Sequence, residues 1–304
     1  MGCIKKDEFV LTGKDRLNDL PGIFDIVRCK SCGLMRTNPR PSLDTIQFYY
    51  PENYGPYLST IVDVNRRPVT ADPFLKKIAK SVFQFNTGRI PEMRPGRMLE
   101  IGCASGNYLA YMADRGWNVT GIELSAAAAR SARELGFSVY SGPVSNAPEP
   151  TTPYDLIVGW MVFEHLHHPV QSLIRLRRWL HKKGTLVLSM PNAGSAELAF
   201  FKHDWHGLHL PAHLFHYTPA TIEQVLSRSG WRITAIHHQR ILNNLFKSMG
   251  NRISGPTDKT LLSRWLTAFP DNGWKRHYLL YPLAYLLSLF GQTGRMTIWA
   301  KKYK

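Results

Sequence analysis

The chain has 304 residues, 44% of them hydrophobic, 12% aromatic and 20% charged, a composition that builds a globular α/β-sized core with an appendage and excludes a disordered, collagen-like or repeat chain. Its net charge of +16 is uneven: 8 basic residues stand against 7 acidic up to residue 60, 8 against 3 over 61–97, 8 against 8 over 98–198, and 14 against 4 from 199 onward. A neutral centre between basic flanks fits a ligand-handling core whose periphery meets an anion (substrate phosphate, lipid headgroup or nucleic acid), with plain solubility as the alternative.

The opening segment MGCIKKDEFV lacks the apolar core of a secretory signal. Four cysteines in this length exclude a dense disulfide framework, so a reducing, cytoplasmic setting is expected. Residues 1–60 read as a small module holding Cys3, Cys29 and Cys32, closed by Asn38-Pro39-Arg40-Pro41-Ser42, where the prolines prevent a helix. From Asp72 to about Phe85 apolar residues recur at helical spacing (Phe74, Leu75, Ile78, Val82), with Asp72-Pro73 as N-cap and first helical position.

Strand and helix then alternate. Arg97–Ile101 reads as a strand, Asn107–Arg115 as a helix, Trp117–Glu123 as a strand, and Ser125–Leu135 as a helix stopped by Gly136. Phe137–Tyr140 and Asp155–Trp160 read as strands, Val170–Leu180 as a helix and Thr185–Ser189 as a strand, a pattern that specifies a parallel sheet with right-handed crossovers. A loop rich in His and Pro follows over 190–217, then a helix Thr218–Ser229, a strand Trp231–His237, an extension 239–290 and a last strand Arg295–Ala300. The expected order is therefore a module (1–60), a core (61–238) with a His-rich lid (190–217), a helical basic and apolar extension (239–290), and a closing strand (291–304). The longest apolar run, Tyr278–Phe290, is interrupted by Pro282 and falls short of the roughly 20 residues that span a bilayer.

The chemistry concentrates in Met98-Leu99-Glu100-Ile101-Gly102-Cys103-Ala104-Ser105-Gly106, a strand running into a small-residue turn that lets backbone N–H groups approach a ligand. The dinucleotide pattern G-x-G-x-x-G fails here, because Ala104 holds its second glycine position. About 20 residues on, the strand Val119-Thr120-Gly121-Ile122-Glu123-Leu124 ends in a carboxylate placed to take both hydroxyls of a ribose. The alternative reading of Glu123 is an acid that caps the helix starting at Ser125.

LEIGCASG, VTGIELS, YDLIVGWMVFEHLHHP, PNAGS and LPAHLFHYTPATIEQVLSRSGW, in this order over roughly residues 97–237, resemble the class I S-adenosylmethionine-dependent methyltransferases, in particular their ubiquinone-biosynthesis-like branch. The resemblance implies a three-layer Rossmann-like sheet of about seven strands, mostly parallel with an antiparallel last strand. It implies that Glu100 holds the methionine amino group, that Gly102, Ala104 and Gly106 line the cofactor, that Glu123 takes the ribose, and that Leu124, Trp160 and Met161 enclose the adenine. Cys29-Lys30-Ser31-Cys32 resembles the zinc-ribbon preface of some relatives. A ribbon needs four ligands and only Cys3 remains of the first knuckle, so zinc is a secondary expectation.

A sulfonium brings its activated methyl group with it, and a base is needed only where the acceptor must lose a proton. The candidates are Glu164 and His165 after the fourth core strand, and His213 among the five of twelve histidines clustered at 203, 206, 209, 213 and 216. Zinc on His209, His213 and His216 is rejected, because Pro211 breaks the helix such spacing requires. The expected acceptor is a hydroxyl on a small molecule or a lipid-linked sugar or quinone-like ring, with peripheral contact at the inner membrane face through 264–290. RNA methylation is disfavoured, since Trp160-Met161-Val162-Phe163 replaces the Asn/Asp-Pro-Pro-aromatic sequence of base-amine methylation. A non-catalytic cofactor-binding module is the third reading.

Overall fold

The computed structural model, which describes residues 6–50, 83–254, 260–269 and 274–303, begins with three antiparallel strands, β1 (Asp7–Gly13), β2 (Phe24–Cys29) and β3 (Met35–Asn38). The core follows as β4 (Arg97–Ile101), α1 (Asn107–Ala113), β5 (Asn118–Glu123), α2 (Ala126–Glu134), β6 (Ser138–Ser141), β7 (Tyr154–Trp160), α3 (Pro169–Trp179) and β8 (Leu180–Pro191). The lid contributes α4 (Ala196–Phe201) and β9 (Phe215–His216), and the chain ends with α5 (Pro219–Arg228), β10 (Trp231–His238), α6 (Asn243–Ile253), α7 (Leu261–Ala268), α8 (Trp274–Leu289) and β11 (Arg295–Lys302). Cys3 and most of the helix expected from Asp72 lie outside the described residues.

The main sheet has the order β10-β11-β8-β7-β4-β5-β6, with β11 antiparallel to both neighbours and the other pairs parallel. This is the Rossmann-like sheet the sequence implies, antiparallel last strand included. The chain leaves β4 first toward β5 and later returns to β4's other side as β7, so the strand order reverses at β4 and a crevice opens beyond its C-terminal end.

Alternation along each strand sorts side chains between two cores. Leu99, Ile101, Ile157, Leu186 and Leu188 face α3 and α5, while Met98, Leu156, Val158 and Val187 face α1 and α2. Helix ends follow from local chemistry. The Ser125 hydroxyl accepts from Ala128 N at the start of α2, and Gly136, at φ 88°, follows its end. Thr218 and Thr221 form a reciprocal capping box on α5, each hydroxyl accepting from the other's backbone N–H. Thr218→Ala is expected to cost about 1 kcal/mol, read as a lower urea midpoint with unchanged slope.

Two features depart from the sequence reading. Where 190–217 reads as loop, the good helix formers Ala196-Glu197-Leu198-Ala199 wind into α4. Residues 1–60 read as a separate module, yet their sheet, ordered β1-β2-β3-β9, takes its fourth strand from the lid. Thr37 fastens the junction: its N–H donates to Leu214 O (3.1 Å) and its hydroxyl to His213 O (2.6 Å). Cys29 and Cys32 are buried in the same apolar cluster as Leu34, Ile46, Leu214 and Phe215. No helix among the described residues is long and apolar enough to cross a membrane.

Candidate active site

The turn after β4 is held by backbone and carboxylate together. Gly102 N donates to Ile122 O (2.7 Å), Ala104 N to Glu123 Oε2 (2.9 Å) and Ser125 N to Glu123 Oε1 (2.8 Å). Glu123 thus ties the turn to the end of β5, and each of its oxygens keeps acceptor capacity for a ribose hydroxyl. Gly102 lies at φ 67°, and a Cβ there would sit 2.6 Å from Val162 Cγ2. Glycine is what lets the turn after β7 pack against the turn after β4.

Glu100 is buried on β4 and its Oε2 has no donor; the buried Tyr108 hydroxyl and Trp160 Nε1 are likewise without partners. Glu100 and Trp160 stand on the same face of neighbouring strands, and the Tyr108 ring meets Trp160 edge-on at 5.1 Å. Burial, then the Glu123 charge, raises the Glu100 pKa well above the carboxylate range; burial also raises Glu123. The unmet acceptor of Glu100, the spare acceptor capacity of Glu123, and the unmet Tyr108 hydroxyl and Trp160 indole N–H favour a cationic ligand carrying its own donors and acceptors. The ammonium, carboxylate and sulfonium of S-adenosylmethionine have that chemistry. Leu124 is exposed at the end of β5, and Met161, at φ 53°, donates its N–H to Ser189 O (2.9 Å).

Beyond β7 a 3₁₀ turn, Phe163–His165, carries Glu164 and His165 under the lid. Glu164 is 1% exposed, neither of its side-chain oxygens has a donor, and burial raises its pKa to about 8. His213 Nε2 lies 3.8 Å from Glu164 Oε1, and its Nδ1 is 2.9 Å from Gly207 O. His165 Nδ1 is 2.9 Å from Ala212 O and 2.7 Å from the Tyr50 hydroxyl, with its ring edge-on to His213 at 4.6 Å. Burial pushes His165 down to about 3 and His213 well below the usual imidazole range. Imidazole ordinarily titrates near neutrality; desolvation moves these two away from it and leaves the carboxylate the more basic group.

Glu164, His165 and His213 therefore converge, although 47 residues separate Ala212 from His165. His216 is buried with Nε2 3.2 Å from Thr37 Oγ1, His206 and His209 are half-buried, and His203 is exposed. Among the described residues, the cluster with metal-ligand proximity is Glu164, His165 and His213; no such group includes Cys29 or Cys32. Sequence reasoning gave no role to Tyr108, whose signal is its place at the second position of the helix behind the turn, or to Tyr50, which stands in the tyrosine-rich QFYYPENYGPY.

The reversed strand order, the acid at the end of β5 and the antiparallel β11 define a class I S-adenosylmethionine-dependent methyltransferase. The chain belongs to the methyltransferase domain family, whose model matches residues 74–236, and the cysteine segment precedes that match. A malonyl-[acyl-carrier protein] O-methyltransferase of Paenibacillus sp. (strain JDR-2) is 28% identical over 126 residues; the match spans 37% of this chain and 44% of that relative. Among solved structures, an S-adenosylmethionine-dependent methyltransferase from Mesorhizobium loti is 19% identical with a TM-score of 0.47, over 70% of this chain and 94% of that one. The plantazolicin methyltransferase BpumL, in complex with SAH, is 17% identical with a TM-score of 0.46, over 85% of this chain and 94% of that one.

Proposed function

We propose that the chain transfers the methyl group of S-adenosylmethionine to a hydroxyl of a small-molecule or lipid-linked acceptor, such as a sugar or a quinone-like ring. The acceptor oxygen attacks the methyl carbon, the carbon–sulfur bond breaks, S-adenosylhomocysteine leaves, and the hydroxyl proton passes to a protein base. The observation that carries this reading is Glu164: a buried carboxylate with no donor on either oxygen, two residues from Val162, which packs on the Gly102 turn. Its place fits proton acceptance, with His165 and His213 flanking it. Glu123 would take the ribose, Glu100 the methionine amino group, and Gly102, Ala104 and Gly106 the close face of the cofactor; Leu124, Trp160 and Met161 would border the adenine. Alignment of oxygen, methyl and sulfur then supplies most of the acceleration, for which positioning is worth roughly 7–11 kcal/mol.

The lipid-linked form of the acceptor is favoured by exposed apolar residues on the C-terminal helices, Leu261 (85%), Leu279 (78%) and Leu289 (60%), with Arg264 and Arg276 in the same helices. The test is incubation of extract and lipid fractions with cofactor labelled in the methyl group, followed by sorting of the label. The expected product is lipid-soluble or a small metabolite and resists alkali, as an ether does. Label in RNA, or in an alkali-labile ester, would overturn the hydroxyl reading.

A further inference from the structure

A cleft of about 300 Å³ opens where the segment after β1, the lid and α6 meet, and its polar lining is Lys14, Arg16, His203, His206, His209 and Asn251. The rest of its wall is apolar, and among the described residues no carboxylate lines it. Local chemistry places the two cations. Asp15 is buried and accepts from the N–H groups of Leu17 (2.8 Å), Asn18 (3.1 Å) and Leu20 (3.3 Å), which leaves its neighbours on either side to face the cleft. Arg16 is held from two sides: Asp204 Oδ1 of the lid lies 2.5 Å from its Nη2, and its Nη1 donates to Asn251 O of α6 (3.3 Å). Lys14 pairs with Asp19 at 3.1 Å, but both are exposed, and such a pair gives way to a better anion at little cost.

The cleft adjoins the candidate site through His209, whose ring stands 4.7 Å from that of His213 and 6.1 Å from that of His165. His213 N donates to His209 O (3.0 Å), closing one turn of backbone that keeps the two rings together. Burial, then the Lys247 and Arg295 charges, drives His206 well below the usual imidazole range, and burial drives His209 down to about 4. The surroundings thus disfavour further positive charge and would welcome an anion. We infer that this cleft binds a phosphate group of the acceptor, whose reacting hydroxyl then lies past His209, toward Glu164. A phosphate presents several terminal oxygens and takes donors from several directions, which a fixed guanidinium, an ammonium and imidazole N–H groups supply. The inference rests on the proposed transfer to a hydroxyl and narrows the acceptor to a phosphorylated one, a free sugar phosphate or a lipid-linked one.

The probe is inorganic phosphate, titrated into the full chain at constant ionic strength and followed by calorimetry and phosphorus NMR linewidth, with acetate as the comparison anion. The expected result is saturable phosphate binding in the millimolar range and weaker binding of acetate. Arg16→Gln should weaken phosphate by at least about 10-fold, the loss of one charge-assisted hydrogen bond. Because this substitution also breaks the ion pair with Asp204, circular dichroism checks its fold, and the exposed Lys14→Gln serves as a second arm with an expected loss of about 3-fold. Lys182→Gln, exposed at the other end of the sheet on β8, should leave binding unchanged. Absence of saturable binding at tens of millimolar phosphate, acetate bound as tightly as phosphate, or equal losses in Arg16→Gln and Lys182→Gln would overturn the site. A methyl-labelled product extracted as a lipid phosphate or left in water as a sugar phosphate tells the two sources apart, and either supports the inference. A labelled ether without phosphate overturns it and leaves the hydroxyl reading intact. Phosphate bound as expected, with label on a group other than a hydroxyl, leaves the site standing and removes that reading.

Discussion

Glu123→Ala is expected to lower affinity for S-adenosylmethionine by at least about 100-fold, because two charge-assisted hydrogen bonds at roughly 1.5–3 kcal/mol each are removed together. The same carboxylate accepts from Ala104 N and Ser125 N, so the substitution also loosens the turn that lines the cofactor. Isothermal titration with S-adenosylmethionine and with S-adenosylhomocysteine should show comparable losses, since both carry the ribose. Glu100→Gln separates a different contribution. It replaces a buried carboxyl group that can ionise beside a bound cation while leaving the Glu123–ribose contact, so it should weaken binding less and should penalise the cationic sulfonium more than the neutral thioether. Unchanged affinity in Glu123→Ala would mean that the crevice after β4 does not hold an adenosyl group, and the assignment of the whole site would fall with it.

The core was legible because its signals are local. The central strands β4, β7 and β8 carry apolar runs, and α2 carries its own start and stop in Ser125 and Gly136. Glu100 and Glu123 were legible for the same reason: a turn and the next strand end lie within one βαβ unit, so sequence spacing fixes their place in space. Legibility failed where a role depends on residues far apart in sequence. β9 is only two residues long and pairs with β3, and no periodicity announces a strand so short. Tyr50 reaches His165 across 115 residues, and Glu164, His165 and His213 come together only once the lid has folded against the Phe163–His165 turn. Burial was the other hidden quantity. A histidine in a list of twelve carries its ordinary pKa, and desolvation inside the fold is what moves His165 to about 3 and Glu164 to about 8.

Glu197, outside the candidate site, is where burial should be most visible as stability. It lies on α4, is buried, accepts from Trp205 Nε1 at 3.0 Å, and is raised to about 7 chiefly by desolvation, against which the Trp205 hydrogen bond, the Gly294 N–H and the Arg295 charge act. Because the folded pKa exceeds the unfolded one, the native chain holds a proton through the window from about pH 4.5 to 7 that the unfolded chain has released. The contribution of this group to stability is therefore fully present below that window and is lost as pH rises through it, a change of about 3 kcal/mol for such a shift. Glu197→Gln keeps an acceptor for Trp205 and has nothing to ionise. The variant and the parent should unfold at similar urea concentrations at pH 5, and the variant should be the more stable by up to about 3 kcal/mol at pH 8. Parallel curves across that range would show that Glu197 stays charged in the folded chain, with the neighbouring Arg295 outweighing its burial.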